Sequence, residues 1–313
     1  MDNIGLNLKC IQAHYGYENI ANNLEANLKA YYDWGLLSIG AWVDVDIPQS
    51  GLYGADFSQL RMVTDPNYTD GQVWEGAKKD WVWETGVNYV DITGGIRNPQ
   101  TVGIPQVNGV PNTGYYVNYP LGQIIFNTAV STSATVKVEH AYRSVQVYKA
   151  SDSPWWRELQ QNSRRIDSSQ FLTSQSGHWS IFGEYRIQTP AVVIESIPRG
   201  RSRGVSLGSD KLWAMRDVQF NILAESAQER NNLMDIFNLQ SDKSLRLFDI
   251  NTLSYPLDYR GMLTGVGVYP NFLNNSIYLL GPMRMVDSVI NDIKEVHPKL
   301  FSASVRTTLE TIV

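Results

Sequence analysis

The sequence predicts an α+β fold: an N-terminal helix and an antiparallel β-rich domain over residues 1–150, then an α+β domain over 151–313 with an antiparallel sheet and a packed helix. Three observations predict it. Apolar residues recur at spacings of three and four in only a few stretches, and period-two alternation recurs through much of the rest. Near residue 150 the helix-start signal Ser151-Asp152-Ser153-Pro154 coincides with a step in charge. Residues 1–150 hold 9 Lys and Arg against 14 Asp and Glu, whereas residues 151–313 hold 17 of each.

Ile20, Leu24, Leu28 and Tyr31/Tyr32, interleaved with Ala21, Ala26 and Ala30, define an amphipathic helix from Glu18 to about Gly35. Ala41, Val43, Val45 and Ile47 then fall on one face of a strand closed by Pro48, leaving Asp44 and Asp46 on a wet face. Short strands are expected at Gln72–Glu75 and Asp80–Glu84, and the Gly- and Pro-rich residues 94–114 read as a long surface loop. Tyr115–Tyr119, the turn Pro120-Leu121-Gly122 and Gln123–Phe126 form a strand, turn, strand unit. Along Ala134–Tyr148 the apolar face switches near Arg143, which predicts a bulge or a crossing from one sheet to another.

In the second half, Pro154 stands just inside a helix continued by Trp155–Gln161. Strands are expected at Ala191–Ile197 and Asp217–Leu223, followed by a helix that Ser226 caps with Glu229 as capping-box partner and Leu233, Ile236 and Phe237 as apolar stripe. Further strands are expected at Ser244–Phe248, Gly265–Tyr269, Ser276–Met285 and Ser302–Ile312.

With 313 residues, 43% of them hydrophobic and 18% charged, the chain can build proper cores and is neither disordered nor fibrous. A net charge of -5 and a pI near 5.4 disfavour general nucleic-acid binding, which depends on Lys and Arg neutralising phosphates. Cys10 is the single cysteine, so neither an intramolecular disulfide nor a thiolate metal cluster can form. The first residues carry no apolar core of signal-peptide length and no 18-residue apolar run occurs, so a soluble product without export is expected. The 9 Trp, 17 Tyr and 9 Phe stand beside 4 His, so contact-forming side chains are plentiful and groups titrating near neutrality are scarce.

No catalytic motif emerges, and no enzyme, metal or cofactor is expected. Cys10 and His14 would share a helix face, but a partly buried packing pair accounts for them better than a nucleophile and base. His140, His178 and His297 are isolated and lack metal-ligand spacing, and no phosphate-binding glycine loop occurs. Asp44, Asp46, Glu75, Asp80 and Glu84 lie in the Trp-rich half and are the best candidates for a glycan-cleaving carboxylate pair, although alternating acids more simply mark a solvated strand face. The sequon Asn67-Tyr68-Thr69 is inert without export.

The candidate functional residues are therefore contact residues. Trp81, Trp83, Tyr115, Tyr116, Trp155 and Trp156 place aromatic pairs beside turns, where sugar stacking is one reading and core packing with a subunit interface is the preferred one. Arg199, Arg201 and Arg203 fall within five residues between two expected strands. They suit a solvated loop, the carboxylates of a neighbouring subunit, or phosphates of packaged DNA.

Gly114–Asn127 (GYYVNYPLGQIIFN), Ser131–Val136 with the strand running on to Tyr148, Pro154–Glu158, Pro190–Glu195, Asp217–Ile222 and Ala224–Phe237 together span about half of the chain. In strand order and turn chemistry this pattern resembles structural proteins from the neck of contractile-tailed bacteriophages, especially cyanophages: head-completion, stopper and tail-terminator rings. The resemblance implies a tail-terminator-like core at Asp217–Phe237 and no catalytic residues. It implies a homo-oligomeric ring, most often a hexamer, joining or sealing head and tail, with heterologous contacts between identical subunits. Portal, other neck and tail proteins would be its partners, DNA would pass through the lumen without sequence recognition, and the protein would reside in the virion after synthesis in the host cytoplasm. A tail-tube or baseplate component, or a carbohydrate-binding or glycan-cleaving protein using the Trp-rich half, are the alternatives.

Overall fold

The structure, a computed structural model, describes residues 17–38, 43–46, 58–83, 89–90, 96–97, 102–143, 145–150, 154–161, 164–165, 185–205, 212–248, 257–263, 279–297 and 300–312. Helix α1 (Tyr17–Ser38) leads into β1 (Val43–Asp46), β2 (Gln59–Met62), β3 (Val73–Glu75), β4 (Tyr89–Val90) and β5 (Ile96–Arg97). Two hairpins follow, β6 (Gln106–Val107) with β7 (Val110–Pro111) and β8 (Tyr115–Asn118) with β9 (Gln123–Phe126). Next come β10 (Val136–Lys137), β11 (His140–Arg143), β12 (Gln146–Lys149), α2 (Trp155–Gln161), β13 (Arg164–Arg165) and β14 (Tyr185–Arg186). The chain ends with β15 (Ala191–Gly204), β16 (Leu212–Ala224), α3 (Ala227–Asn238), β17 (Ser244–Phe248), β18 (Leu279–His297) and β19 (Leu300–Ile312).

The fold is α+β. Seven short antiparallel strands form one sheet in the order β7-β6-β10-β2-β3-β9-β8, and six longer strands form another in the order β12-β15-β16-β19-β18-β17. Among the described residues the edge pair β12–β15 is the one parallel pair of the larger sheet. The face switch near Arg143 is a sheet crossing: β10 belongs to the smaller sheet, β11 pairs with β1, and β12 enters the larger sheet.

Three expectations differ from the structure, and a fourth falls outside the described residues. The stretch 94–114 is not a plain loop, because Asn108-Gly109 closes the β6–β7 hairpin with φ values of 51° and 80°. An Asn-Gly pair with both φ positive matches the right-handed strand twist, and β6 then adds to β10. Over the described part of the expected strand 80–84, residues 80–83, Trp81 makes only an isolated bridge to Tyr142. Arg199, Arg201 and Arg203 lie inside β15, where Arg201 stands opposite Met215 and Arg203 opposite Trp213. The expected strand Gly265–Tyr269 lies outside the described residues.

Helix α1 precedes the β-rich half in sequence but packs its stripe of Leu24, Leu28, Tyr32 and Leu36 on the six-stranded sheet. Strands of 13 and 14 residues offer the broad apolar face that such a stripe needs, whereas those of the smaller sheet run to 4 residues at most. Leu233, Met234 and Phe237 of α3 complete this core against Phe220, Ile222, Met285 and Val305. Because β15 is covered on both sides, Val192 and Ile194 face this core while Ala191 and Val193 face a second cluster with Leu159 of α2. A third core, with Trp74, Trp81, Ile124, Phe126 and Val136, fills the smaller sheet, and Ala30 of α1 touches it.

Candidate functional site

The aromatic candidates separate by burial. Trp81 is fully buried, stacks on His140 with ring centroids 4.1 Å apart, and donates its indole N–H to the Lys78 carbonyl at 3.0 Å. Trp83 is buried in the same core. Both therefore pack within the chain: Trp81 is fully enclosed, and Trp83 keeps only a sliver of surface, which borders the cleft described below. Tyr115 is half-buried, its hydroxyl raised in pKa by burial, whereas its neighbour Tyr116 is exposed. On helix α2, Trp155 packs against the cluster around Leu159 while Trp156, one position further round the helix, is exposed. Arg201 is exposed on β15.

Among the described residues the catalytic candidates do not converge. Glu75 is held across β2–β3 by Arg61, whose Nε donates to it at 2.7 Å, while Asp80 faces Arg143. His140 serves the core. Cys10, His14, Glu84 and His178 lie outside the described residues, as do the side chains of Asp44, Asp46 and His297.

A cleft of about 310 Å³ opens where α1 meets the turn before Trp81, the β8–β9 turn and residues 257–263. Its floor is charged. Lys29 Nζ donates to Asp33 Oδ2 at 2.6 Å, an Arg143 guanidinium N–H donates to the Asp33 carbonyl at 2.9 Å, and Arg143 Nε lies 3.6 Å from Asp80 Oδ1. Burial pushes the Asp80 carboxyl above its ordinary range; Arg143 and Lys29 pull it down and Asp33 adds to the rise. On the rim, Arg260 donates to the Tyr259 hydroxyl at 2.7 Å, and the turn is anchored by the Tyr119 N–H on the Gly261 carbonyl at 3.1 Å. Lysine and arginine balance aspartate here, so the cleft compensates its own charge and acts as a polar junction between α1 and the β-rich half.

The surface that sequence reasoning missed is the outer part of β18. Val289, Ile290, Ile293 and Val296 are 55%, 37%, 52% and 59% exposed on a strand expected to stop at Met285. Its signal was the run Met285-Val286-Asp287-Ser288-Val289-Ile290, but Asn291, Asp292, Lys294 and Glu295 mask the alternation that continues it. Three register shifts against β19 have the same effect, since each bulge breaks the period of two.

Among the described residues no group of three His, Cys, Asp or Glu could hold a metal ion, and no helix is long and apolar enough to cross a membrane. Compared with protein-family models and with curated proteins, the chain matches none.

Proposed function

We propose that this chain is a virion structural protein of the phage neck, a ring-forming subunit that joins or seals head and tail around the DNA channel. The exposed apolar residues of β18, spread over both of its faces, carry the reading. Val289, Ile290, Ile293 and Val296 lie on a strand whose outer neighbour β17 pairs with it only as far as Arg284. Apolar side chains beside an unpaired strand edge are a liability in an isolated chain and an asset in an assembly, where a neighbour covers them. The resemblance in Gly114–Asn127 and Asp217–Phe237 supplies the kind of assembly. The ring is sixfold, meets portal, neck or tail proteins on its two faces, and lets DNA pass without reading its sequence.

The glycan reading is the less favoured one, because the Trp81 ring is enclosed in the core and Trp83 shows the cleft only 5% of its surface. Negative-stain imaging and mass photometry of the purified protein test the proposal, alone and with its neighbouring virion proteins. Closed rings of identical subunits are expected. A chain that stays monomeric under all these conditions, and whose tryptophan fluorescence responds to added glycans, would overturn it.

A further inference from the structure

We infer that the ring closes by strand addition between copies: the arginine-bearing edge of β15 in one copy pairs with the acidic outer edge of β18 in the next. The inference rests on the ring reading above and names the surfaces that make it.

Both sides of the six-stranded sheet are half covered. On one side β12 pairs with β15 only from Ala191 to Ile194, and the Glu25 carboxylate takes the Ser196 N–H at 2.9 Å. Beyond it, Ile197–Gly204 has no strand on that side among the described residues. On the other side β17 covers β18 up to Arg284. The turn after α3 then takes the next groups: Asp242 N–H donates to the Met285 carbonyl, Met285 N–H to the Lys243 carbonyl, and Ser241 Oγ to the Val286 carbonyl, at 2.8, 2.9 and 2.8 Å. From Asp287 to His297 the outer edge has no strand among the described residues. Among the described residues, then, edges of 8 and 11 residues are left without a neighbouring strand.

Their charges are opposite. Ile197–Gly204 carries Arg199, Arg201 and Arg203 and no acid, whereas Asp287–His297 carries Asp287, Asp292 and Glu295 against Lys294. Lys294 is paired with Asp292 at 2.5 Å, so the net negative charge of this edge rests on Asp287 and Glu295. Cross-strand pairs of opposite charge support a ladder, and like charges oppose one, so each edge rejects itself and accepts the other. The bulges along β18 narrow its choice further, because an irregular edge discourages indiscriminate pairing.

Direction and level agree as well. Three antiparallel steps separate β15 from β18, so a sheet continued in the same sense brings them together antiparallel. The register places Ile194 level with Phe220, Val305 and Ile290, and Arg203 level with Trp213 and Ile312. The open half of β15 therefore lies at the end of the sheet where β17 sits, and the open half of β18 at the end where β12 sits. With a stagger of half a strand, β17 of one copy abuts the tip of β15 of the next, and β12 fills the space beyond the end of β18. Such a contact is heterologous, and repeated by rotation it closes a ring whose strand tilt absorbs the stagger.

The test uses two charge-reversed proteins, R201E/R203E and D287K/E295K, examined by mass photometry and negative stain. Each alone should assemble roughly tenfold or more weakly than wild type, while an equimolar mixture, in which every contact is again between opposite charges, should recover the ring. If both assemble alone as wild type does, the strand pairing is overturned and the ring reading stands. Monomers that stay apart in the mixture overturn the pairing too. A wild-type chain that never forms rings removes both. Should a double variant lose its circular dichroism spectrum, Arg201→Gln and Glu295→Gln carry the same test: each should weaken assembly and flatten its dependence on salt, and an unchanged salt dependence overturns the pairing.

Discussion

The Glu25 carboxylate accepts the backbone N–H of Ser196 at 2.9 Å, so a residue of the first helix closes the edge of a strand 171 positions later in the chain. Glu25 is 2% exposed, and at this point the helix substitutes for the neighbouring strand that β12 no longer provides. Removing it leaves a buried N–H unmet. Glu25→Ala should destabilise by about 1–3 kcal/mol in urea denaturation, and Glu25→Gln by less, since an amide oxygen can still accept the bond. Equal losses in both variants would show that packing, not the hydrogen bond, is what Glu25 contributes.

Phe237 joins three elements. Its ring centroid lies 4.3 Å from that of Tyr32 on α1 and 4.7 Å from that of Phe220 on β16, and it has no exposed surface. Truncation here opens a cavity between two helices and the sheet, which neither helix can close without breaking its other contacts. Phe237→Ala should cost about 3–5 kcal/mol, whereas Phe237→Leu, which keeps most of the volume, should cost well under half of that. The check is the urea midpoint of each variant at unchanged denaturant slope.

Gly122 ends the β8–β9 turn with φ at +63°, and a Cβ there would stand 2.5 Å from the Lys78 carbonyl oxygen and 2.8 Å from Trp81 Nε1. Conformation and contact both demand glycine. The left-handed backbone alone makes Gly122→Ala unfavourable by about 1–2 kcal/mol, and the clash adds to it by disturbing the indole bond to Lys78. A thermal melt of the variant within error of wild type would contradict this reading of the turn.

The elements that were legible in the sequence were those whose signals are local. The strand Ser244–Phe248 matches β17, and the Ser226 cap is observed with its hydroxyl oxygen accepting the Glu229 N–H at 3.1 Å. The change of face near Arg143 was also legible, because a strand that leaves one sheet for another must turn a different side inward. Misplaced features depend on distant partners. Nothing near α1 reveals that its stripe will meet strands more than 150 residues away, and Arg199–Arg203, polar and glycine-containing, reads as a loop until β16 is there to pair it. Trp81 and Trp83 illustrate the same limit at the candidate site: a Trp pair beside a turn looks alike in a core and at an interface, and only the surrounding fold separates the two. Exposed Tyr116 and Trp156 keep the contact role that the sequence suggested for them open to a partner.

Asp80 gives the junction beneath the cleft a pH signature. Its carboxyl is raised in pKa chiefly by burial, against the pull of Arg143 and Lys29 and with Asp33 adding to the rise. The folded chain therefore holds this proton at pH values where the unfolded chain, with an ordinary aspartate near 3.9, has already released it. The contribution of Asp80 to stability is accordingly fully present below that ordinary value, declines as pH rises toward the raised folded value, and is level above it. Asp80→Asn removes the titration while keeping a residue type that tolerates the observed φ of 59°. Urea midpoints of the two proteins compared from pH 3 to pH 8 should show wild type losing stability relative to the variant from about pH 4 upward. A difference of the opposite sign, with wild type gaining on the variant as pH rises, would mean that the Arg143 ion pair outweighs burial and that the junction is held by charge.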